Sequence, residues 1–474
     1  MLTKQEKQSY REELFRHLDG IVTAPVAYSL FTSKITDYIT QHKTTTVSQI
    51  SKDFNSNDGY LNVALRILSS QGWLDYNISK NDVEITINNH TKRAFELFYL
   101  YEGVVDLLEY SGSFHPRKFE LEPFHKLEQL FKTHLELTSS KKNKADPIYH
   151  QIVKHIEGIL VGPTVVHLGM GGMFHKYFME ASFSAEEYHR FPECFDTILI
   201  FLSNLGWFHK NGNNYTFTNK GLFFAKRASA YGVTVSYIPM FRKIPDLLFG
   251  DPGILWNITN NTEEIHVDRE MNVWGSGGAH ATYFKKIDEI IIHLFNKPLN
   301  EQPKGILDMG CGNGAFLIHL FEIITSKTLR GQHLDDYPLF LVGADYNKAA
   351  LKVTRANLIQ ADIWAKVIWG DISDPDLLEK DIQENYNITL SDLLSVRTFL
   401  DHNRIWSKPI AELDNPSTST GAFSYRGALL NNNDVERNLK DHLSKWVPHI
   451  TKYGLIVIEL HTCLLYTSPS PRDA

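Results

Sequence analysis

The pattern of apolar and polar residues changes character at Pro303. Before it, apolar residues recur every three or four positions in stretches such as ADPIYHQIVKHIEGIL, which predicts amphipathic helices. Beyond it, the short apolar runs GILD, LFLVGAD and AKVIWGD each end on an acid, with helical stretches between the runs. Buried strands alternating with helices predict an α/β fold with a parallel sheet.

Two stretches of the helical part resemble each other. ALRILSSQGWLDY and ILIFLSNLGWFHK share LS, two residues and then GW. In each, an apolar helix, over 63–70 or 197–204, stops at a glycine suited to a left-handed cap and leads into a predicted hairpin. TTTVSQISKDF and FSAEEYHRF predict a capped short helix before each copy. This order is the winged-helix pattern.

Composition narrows what these units can do. Winged helices often read DNA, but Leu, Ile and Phe dominate both candidate recognition helices, which favours interaction or lid modules. The net charge of -7 gives no overall attraction to nucleic acid. The charged N-terminus and the lack of a long apolar run predict a cytoplasmic protein without a membrane partner. The three cysteines form no CxxC pair, so a metal would need His or carboxylate ligands.

The run GILDMGCGNGAFL carries the first chemical motif. Asp308 ends a strand, and Gly310, Gly312 and Gly314 form a tight turn before an apolar helix over 315–324. Glycine is needed where a ligand must touch the backbone. A dinucleotide site favours GxGxxG around a pyrophosphate, whereas an acid at this place suits a cationic amino-acid group.

Two further strand ends fit a nucleoside. The carboxylate of Asp345 is placed to accept hydrogen bonds from two ribose hydroxyls. Asp371 can meet an adenine amino group, and the side chain of Ile372 can cover the ring. Three neighbouring strand ends that close on an acid therefore predict a nucleoside ligand.

Together these motifs resemble the class I S-adenosylmethionine-dependent methyltransferases. The resemblance implies a Rossmann-like, doubly wound sheet over 303–462, preceded by the mainly helical region with its two winged-helix-like units. It implies S-adenosylmethionine as the cofactor, with the methionine end on the first motif, the ribose on the second and the adenine on the third. The implied cofactor-binding residues are Asp308, Gly310, Cys311, Gly312, Gly314, Asp345, Asp371 and Ile372.

The segments LLSVRTFLDHNR and IVIELHT predict a fourth and a fifth strand. They bring Asp401, His402, Arg404 and His461 to the carboxyl edge of the sheet, where open α/β sheets bind substrates. Two histidines on adjacent strand ends can bind a metal and leave positions open for substrate. Alternatively, His402 is a general base oriented by Asp401, or one histidine caps a helix or strand end.

LDHNR together with ELHT, behind a winged-helix region, resembles the metal-dependent C-methyltransferases of 2-oxo acids and the iron-dependent domains of polyketide-synthase loading modules. The resemblance implies His402 and His461 as ligands of a mononuclear divalent metal, iron or zinc. The substrate would be a small 2-oxo acid or a carrier-bound acyl thioester, whose enolate a Lewis acid stabilises. Arg404, or Arg397, could neutralise its remaining charge. The candidate catalytic residues are His402, Asp401 and Arg404.

The domain order also resembles small-molecule methyltransferases of natural-product pathways, which implies a homodimer formed through the helical region. The stretch over 273–284 would then roof the substrate pocket, with Tyr283 or His280 near the cofactor or substrate. Two other interpretations stay open. One is a metal-free O-methyltransferase, and the other is a non-catalytic binding module with a vestigial cofactor pocket.

The C-terminal segment CLLYTSPSPRD reads as a translated transposase sequencing adapter. We expect 463–474 to be an artefact and His461 to be native. The predicted domains are a first unit over 1–110, a helical linker and second unit over 111–250, and an incomplete methyltransferase domain over 251–462. A further helix and two strands would complete it, so we expect this exact polypeptide to be insoluble or inactive. A soluble monomer with turnover would refute that.

Overall fold

The structure is a computed structural model. It describes residues 2–79, 82–110, 121–140, 143, 145–178, 180, 182–255, 265–401, 406–411, 413 and 415–459, with their side chains except at 121–123, 276–282 and 349. The chain divides into two compact units. The first comprises 1–278 with 420–430, and the second comprises 279–419 with 431–474.

The first unit is mainly helical, as predicted. Its helices are α1 (Lys4–Thr32), α2 (Ile35–His42), α3 (Val47–Phe54), α4 (Asp58–Ser70), α5 (Thr91–Leu97), α6 (Glu102–Leu108), α7 (Leu121–Ser139), α8 (Pro147–Met170), α9 (Met173–Tyr177), α10 (Pro192–Asn204), α11 (Asn219–Ala225), α12 (Ser229–Ser236), α13 (Ile238–Phe241), α14 (Ile244–Phe249) and the start of α15 (Arg269–Phe284). The long helices α1 and α8 cross at Gly20 and Gly158, where an added Cβ would come within 2.3 Å of the facing backbone. Glycine thus permits the close approach.

Both winged-helix-like units are confirmed. The first has an antiparallel sheet in the order β1-β3-β2, and the second has one in the order β4-β6-β5. The strands are β1 (Thr44–Thr46), β2 (Leu74–Ile78), β3 (Val83–Ile87), β4 (Phe183–Ser184), β5 (Phe208–Asn211) and β6 (Asn214–Phe217). Gly72 and Gly206 follow the apolar helices α4 and α10 with φ of +79° and +81°, the predicted left-handed conformation.

One local prediction is wrong. Thr46 caps α3 by accepting a hydrogen bond from the amide of Gln49, as the pattern predicted. Ser184 makes the corresponding cap, but the chain then forms a single 3-10 turn over Ala185–Glu187 in place of a helix. Pro192 starts the next helix and keeps Phe191 out of the helical conformation, but it does not account for the end of the turn at Glu187.

The predicted doubly wound sheet is confirmed in the second unit. Its parallel strands run in the order β13-β10-β7-β8-β9, so the direction of winding changes between β7 and β10. The strands are β7 (Gly305–Met309), β8 (Phe340–Asp345), β9 (Lys366–Trp369), β10 (Leu393–Thr398) and, after a hairpin of β11 (Phe423–Tyr425) and β12 (Ala428–Leu430), β13 (Leu455–Ile458). The helices are α16 (Asp288–Phe295), α17 (Ala315–Lys327), α18 (Lys348–Gln360), α19 (Pro375–Tyr386) and α20 (Asn432–Trp446).

Both faces of this sheet are covered, as its uninterrupted apolar strands require. Ile306 packs into one apolar cluster with Phe316 of α17. Leu307, the next residue along β7, packs into the other cluster with Leu378 of α19. The carboxyl ends of the strands are therefore left as the edge at which polar residues can gather.

The hairpin β11–β12 belongs to the first unit, although its sequence lies between strands of the second. It packs on α4, where the amide of Gly59 donates to the carbonyl of Gly427 at 2.8 Å. The amide of Leu429 donates to Asp58 Oδ1 at 3.0 Å. No pattern in the sequence indicates this insertion.

Candidate functional site

The glycine turn after β7 has the backbone that the motif predicts. Gly310, Gly312 and Gly314 have φ of +78°, +56° and +80°, which side chains rarely allow. At Gly310 an added Cβ would also lie 2.7 Å from the side chain of Leu400. Helix α17 begins directly after the turn, at Ala315. The turn is thus compact and exposes backbone next to Asp308.

Asp308 is a buried acid without a full set of partners. Its side chain is 1% exposed, and Oδ1 has no hydrogen-bond partner among the residues that the structure describes. Burial, helped by the negative charge of Asp345, raises the pKa of Asp308 to about 8. A cationic group placed beside Oδ1 would stabilise the carboxylate and restore the missing hydrogen bond. The residue therefore fits the ammonium end of an amino acid.

Asp345, at the carboxyl end of β8, is oriented by its neighbours. Its Oδ2 accepts a hydrogen bond from the amide of Gly312 at 3.0 Å, and its Oδ1 accepts from the amide of Asn347 at 2.8 Å. Each carboxylate oxygen can accept more than one hydrogen bond. The side chain is half-buried, so it retains capacity for ribose hydroxyls.

The third acid closes a turn after β9. Asp371 Oδ1 accepts a hydrogen bond from the amide of Ser373 at 2.8 Å, which fixes the turn. Ile372 is only 8% exposed and packs with Leu307 and Met309. Most of its side chain therefore belongs to the core, and its role as a cover for adenine stays a prediction.

Cys311, within the glycine turn, packs as a small apolar residue. Its thiol is buried and lies 3.5 Å from Thr354 Oγ1. Burial and the negative charge of Asp308 raise its pKa to about 12. The thiol is thus neutral at physiological pH, and only its backbone can serve a ligand.

Asp401, just beyond β10, contacts two residues that the sequence did not connect with it. Its Oδ2 lies 3.0 Å from Nε of the buried Arg397, and its Oδ1 lies 3.1 Å from Nε2 of His442. His402 and Arg404 lie outside the described residues. The Arg397 guanidinium is fully buried beside Asp401, yet none of its three nitrogens has a hydrogen-bond partner among the described residues, and its role toward the substrate stays a prediction.

The ends of β10 and β13 are joined directly. The strands are parallel neighbours with Thr398 opposite Ile458. Beyond them, the amide of Phe399 donates to the carbonyl of Ile458 at 2.8 Å, and the amide of Asp401 donates to Glu459 Oε1 at 2.7 Å. His461, two residues further along, lies beyond the last described residue. His402 and His461 thus follow directly on two strand ends that touch.

Sequence reasoning missed His442, which lies on α20 and is 5% exposed. The signal was present, because Asn438, His442 and Trp446 are spaced four residues apart and so share one face of the helix. Tyr283, expected near the substrate pocket, has its ring 5.9 Å from that of Phe399 in an edge-on contact. The side chain of His280 is among those not described.

A second cluster, in the first unit, has ligand types suited to a metal. Among the described residues, the side chains that group at metal-ligand spacing are Glu13, His17 and Glu157. A cation already lies between them, since Lys154 Nζ is 2.6 Å from Glu157 Oε1 and 3.0 Å from Glu13 Oε1. His134 adds a further contact of 3.1 Å to Glu157. Lys154 therefore already supplies a positive charge to both carboxylates of the cluster.

None of the helices in the described part of the chain combines the length and the apolar character that a membrane span requires.

Three family models match successive parts of the chain. Residues 10–76 match the AprA N-terminal domain, residues 157–251 match the AprA winged helix domain, and residues 264–467 match the AprA MT2-like domain. A search of curated proteins finds no match.

Solved structures of methyltransferases are also similar. PigF with SAH is 13% identical, with a TM-score of 0.32, and the match covers 54% of this chain and 72% of PigF. The S-adenosylmethionine-dependent methyltransferase SibL in its apo form is 15% identical, with a TM-score of 0.26 and coverages of 46% and 65%. The DszA carbon methyltransferase is 13% identical, with a TM-score of 0.19 and coverages of 61% and 73%.

The domain matches agree with the motif at Asp308 and with the order of strands in the sheet. The chain is a class I S-adenosylmethionine-dependent methyltransferase with an AprA-like order of domains.

Proposed function

We propose that this methyltransferase methylates the carbon next to a carbonyl group, in a 2-oxo acid or an acyl thioester of natural-product metabolism, with the help of a divalent metal. The observation that carries the proposal is the contact between the ends of β10 and β13, where the amide of Asp401 donates to Glu459 at 2.7 Å. His402 and His461 lie one and two residues beyond these positions.

The cofactor end of the site is the better supported part. Asp308 has an unpartnered buried oxygen for the cofactor's amino group, and the glycine turn keeps side chains away from it. Asp345 is held by two backbone amides in an orientation suited to ribose. Bound here, S-adenosylmethionine supplies an electrophilic methyl group.

The metal end rests on the histidines. Imidazole is a good ligand for iron and zinc, and two histidines leave coordination positions open for a bidentate substrate. A metal in that place would act as a Lewis acid toward the carboxylate and keto oxygens and favour the enolate. Arg404 is the candidate for neutralising the substrate's remaining charge, because Arg397 is fully buried beside Asp401.

The metal-free alternative makes His402 a general base for an O-methyl transfer, oriented by Asp401. That interpretation has less support, because the carboxylate of Asp401 already contacts Arg397 and His442. A non-catalytic role is disfavoured by the intact set of Asp308, Asp345 and Asp371. We also propose a homodimer formed through the helical region, which the molar mass of the full-length protein in solution would test.

The test compares His402→Ala and His461→Ala with His449→Ala in the full-length protein. His449 pairs with Asp376 at 2.8 Å in the same unit and has no proposed role in the site. Bound metal is measured by elemental analysis, cofactor uptake by calorimetry, and methyl transfer with a 2-oxo acid. We expect both site variants to lose metal and turnover but keep cofactor binding, while His449→Ala keeps all three.

Two outcomes would contradict the proposal in different ways. If His402→Ala keeps its metal, or if the wild-type protein is active without one, the O-methyltransferase interpretation replaces it. If the wild-type protein takes up no cofactor, the assignment of Asp308 and the glycine turn fails as well.

A further inference from the structure

We propose that His442 and Asn438 of α20 are positioning residues that hold the two flanks of the segment carrying His402 and Arg404. The importance of that segment rests on the proposed function, but the contacts of α20 do not. His442 is buried on a helix that follows the segment in sequence.

The first flank is Asp401. Nε2 of His442 lies 3.1 Å from Asp401 Oδ1, while Nε of Arg397 lies 3.0 Å from Oδ2 and Glu459 accepts the Asp401 amide at 2.7 Å. Both ends of this residue, its backbone and its carboxylate, are thus held. A buried charge with several partners has one favoured arrangement.

The second flank is Ser407. The side-chain amide of Asn438 donates to the carbonyl of Ser407 at 2.8 Å. Asn438 lies four residues before His442, one helical turn away on the same face of α20. Residues 402–405 are therefore bounded by two anchors that both come from one helix face.

Helix α20 is itself attached to the turn that follows β9. Trp446, one further turn along the same face, is fully buried and donates from Nε1 to the carbonyl of Ile372 at 2.9 Å. The guanidinium of Arg397 lies 5.2 Å from the centre of the Trp446 ring. One face of α20 therefore contacts the turn after β9, Asp401 just beyond β10, and Ser407.

A purely structural role for this face would predict something else. Residues that only attach α20 to the sheet would affect stability and leave the geometry of the segment unchanged. Residues that position it should affect the exchange of the Asp401 amide and the properties of His402, since metal sites lose about 10- to 100-fold in affinity when supporting residues are removed.

The experiment uses His442→Leu and Asn438→Leu in the full-length protein, with His449→Leu as the matched control. His442→Gln is the conservative variant, because its amide nitrogen can replace Nε2. Hydrogen exchange of a peptide spanning 399–407 is the primary readout. Metal affinity, the dissociation constant for S-adenosylmethionine and kcat for methyl transfer follow.

We expect His442→Leu to accelerate exchange in this peptide at least tenfold, to weaken metal binding by about 10- to 100-fold and to lower kcat. Cofactor affinity should stay within twofold, and His442→Gln should restore most of the loss. Asn438→Leu should act in the same direction, and His449→Leu should change none of these readouts.

Unchanged exchange in the 399–407 peptide of His442→Leu would overturn the inference, whatever happens to activity. If the wild-type protein binds no metal, the proposed function fails in that respect, while accelerated exchange with a lower kcat would still support the positioning role.

Discussion

Two buried acids, Glu157 in the helical unit and Asp308 in the sheet unit, show the difference between a structural and a functional carboxylate. Each is about 1% exposed. Burial alone raises the pKa of Glu157, but hydrogen bonds from His134 and His17 and the charge of Lys154 hold it well below its usual range. Asp308 has no comparable partners among the described residues, and burial raises its pKa to about 8.

The partners of Glu157 and Asp308 show how a buried charge should be interpreted. A carboxylate with several partners holds elements of the fold together, here the helices α1, α7 and α8. A carboxylate with an unpartnered oxygen beside a glycine turn is destabilised until a ligand supplies a cation. Chemical type and burial are therefore poor guides to function without the list of partners.

The largest effect is expected on removing the structural acid. Glu157→Ala leaves the buried imidazoles of His17 and His134 and the half-exposed Lys154 without their acceptor, so we expect a loss of about 3 to 5 kcal/mol in the free energy of unfolding. Urea denaturation measures it, and Glu384→Ala, in an exposed pair with Lys380, should leave stability unchanged. A loss below about 1 kcal/mol would contradict a stabilising role for the Glu157 network.

The next effect is expected on neutralising the functional acid. Asp308→Asn removes the charge that pairs with the cofactor's amino group, and we expect S-adenosylmethionine affinity to fall about 10- to 100-fold, or about 1.5 to 3 kcal/mol. Stability of the free protein should not fall. Asp392→Asn, which breaks a 2.9 Å pair with Lys304 before β10, serves as the control for calorimetry. Equal affinities of wild type and Asp308→Asn would remove Asp308 from the site.

The raised pKa of Asp308 also predicts a dependence on pH. Because the folded-state pKa of about 8 exceeds the ordinary aspartate pKa of 3.8, this group favours the folded state at low pH, and that contribution is lost as pH rises toward 8. Cofactor binding requires the carboxylate, so affinity should rise by up to tenfold per pH unit between about pH 6 and 7.5. Asp308→Asn should abolish the slope in calorimetric titrations, and a slope that persists would assign it to another group.

The smallest effect is expected on removing one hydrogen bond at the margin of the Glu157 network. Tyr231→Phe removes the hydroxyl that lies 2.8 Å from Nδ1 of His17, at the margin of the Glu157 network. We expect a loss of about 1 kcal/mol in the free energy of unfolding, typical of one buried hydrogen bond, and no change in cofactor affinity. A loss as large as that of Glu157→Ala would mean that the tyrosine, and not the carboxylate, is the centre of the network.

Local patterns in the sequence predicted much of this fold. The glycines at 72 and 206, the glycine turn after β7 and the apolar strands are all determined by neighbours in the chain, and the structure confirms them. In FSAEEYHRF the cap at Ser184 forms as predicted, but only one 3-10 turn follows it, so a cap alone does not determine the length or type of the helix after it.

Long-range contacts could not be predicted in the same way. The Glu157 network combines residues of α1, α7 and α8. His442 contacts Asp401, although the hairpin β11–β12, which packs in the first unit, lies between them in sequence. Arg330 lies in the polar stretch TSKTLRGQHLDDYP, yet it is 3% exposed and donates to Gln302 and to the carbonyl of Pro303. In each case the partner is distant in sequence and the polar character suggests a surface position.

The central claim is that the cofactor lies on the glycine turn with its reactive end beside the ends of β10 and β13. A crystal structure of the full-length protein with S-adenosylhomocysteine and its metal tests this most directly. We predict the ligand's amino group within hydrogen-bond distance of Asp308 Oδ1. We also predict an anomalous scattering peak from a metal ion bound by His402 and His461. A ligand bound away from the turn, or imidazoles of these two histidines pointing to separate regions, would contradict it.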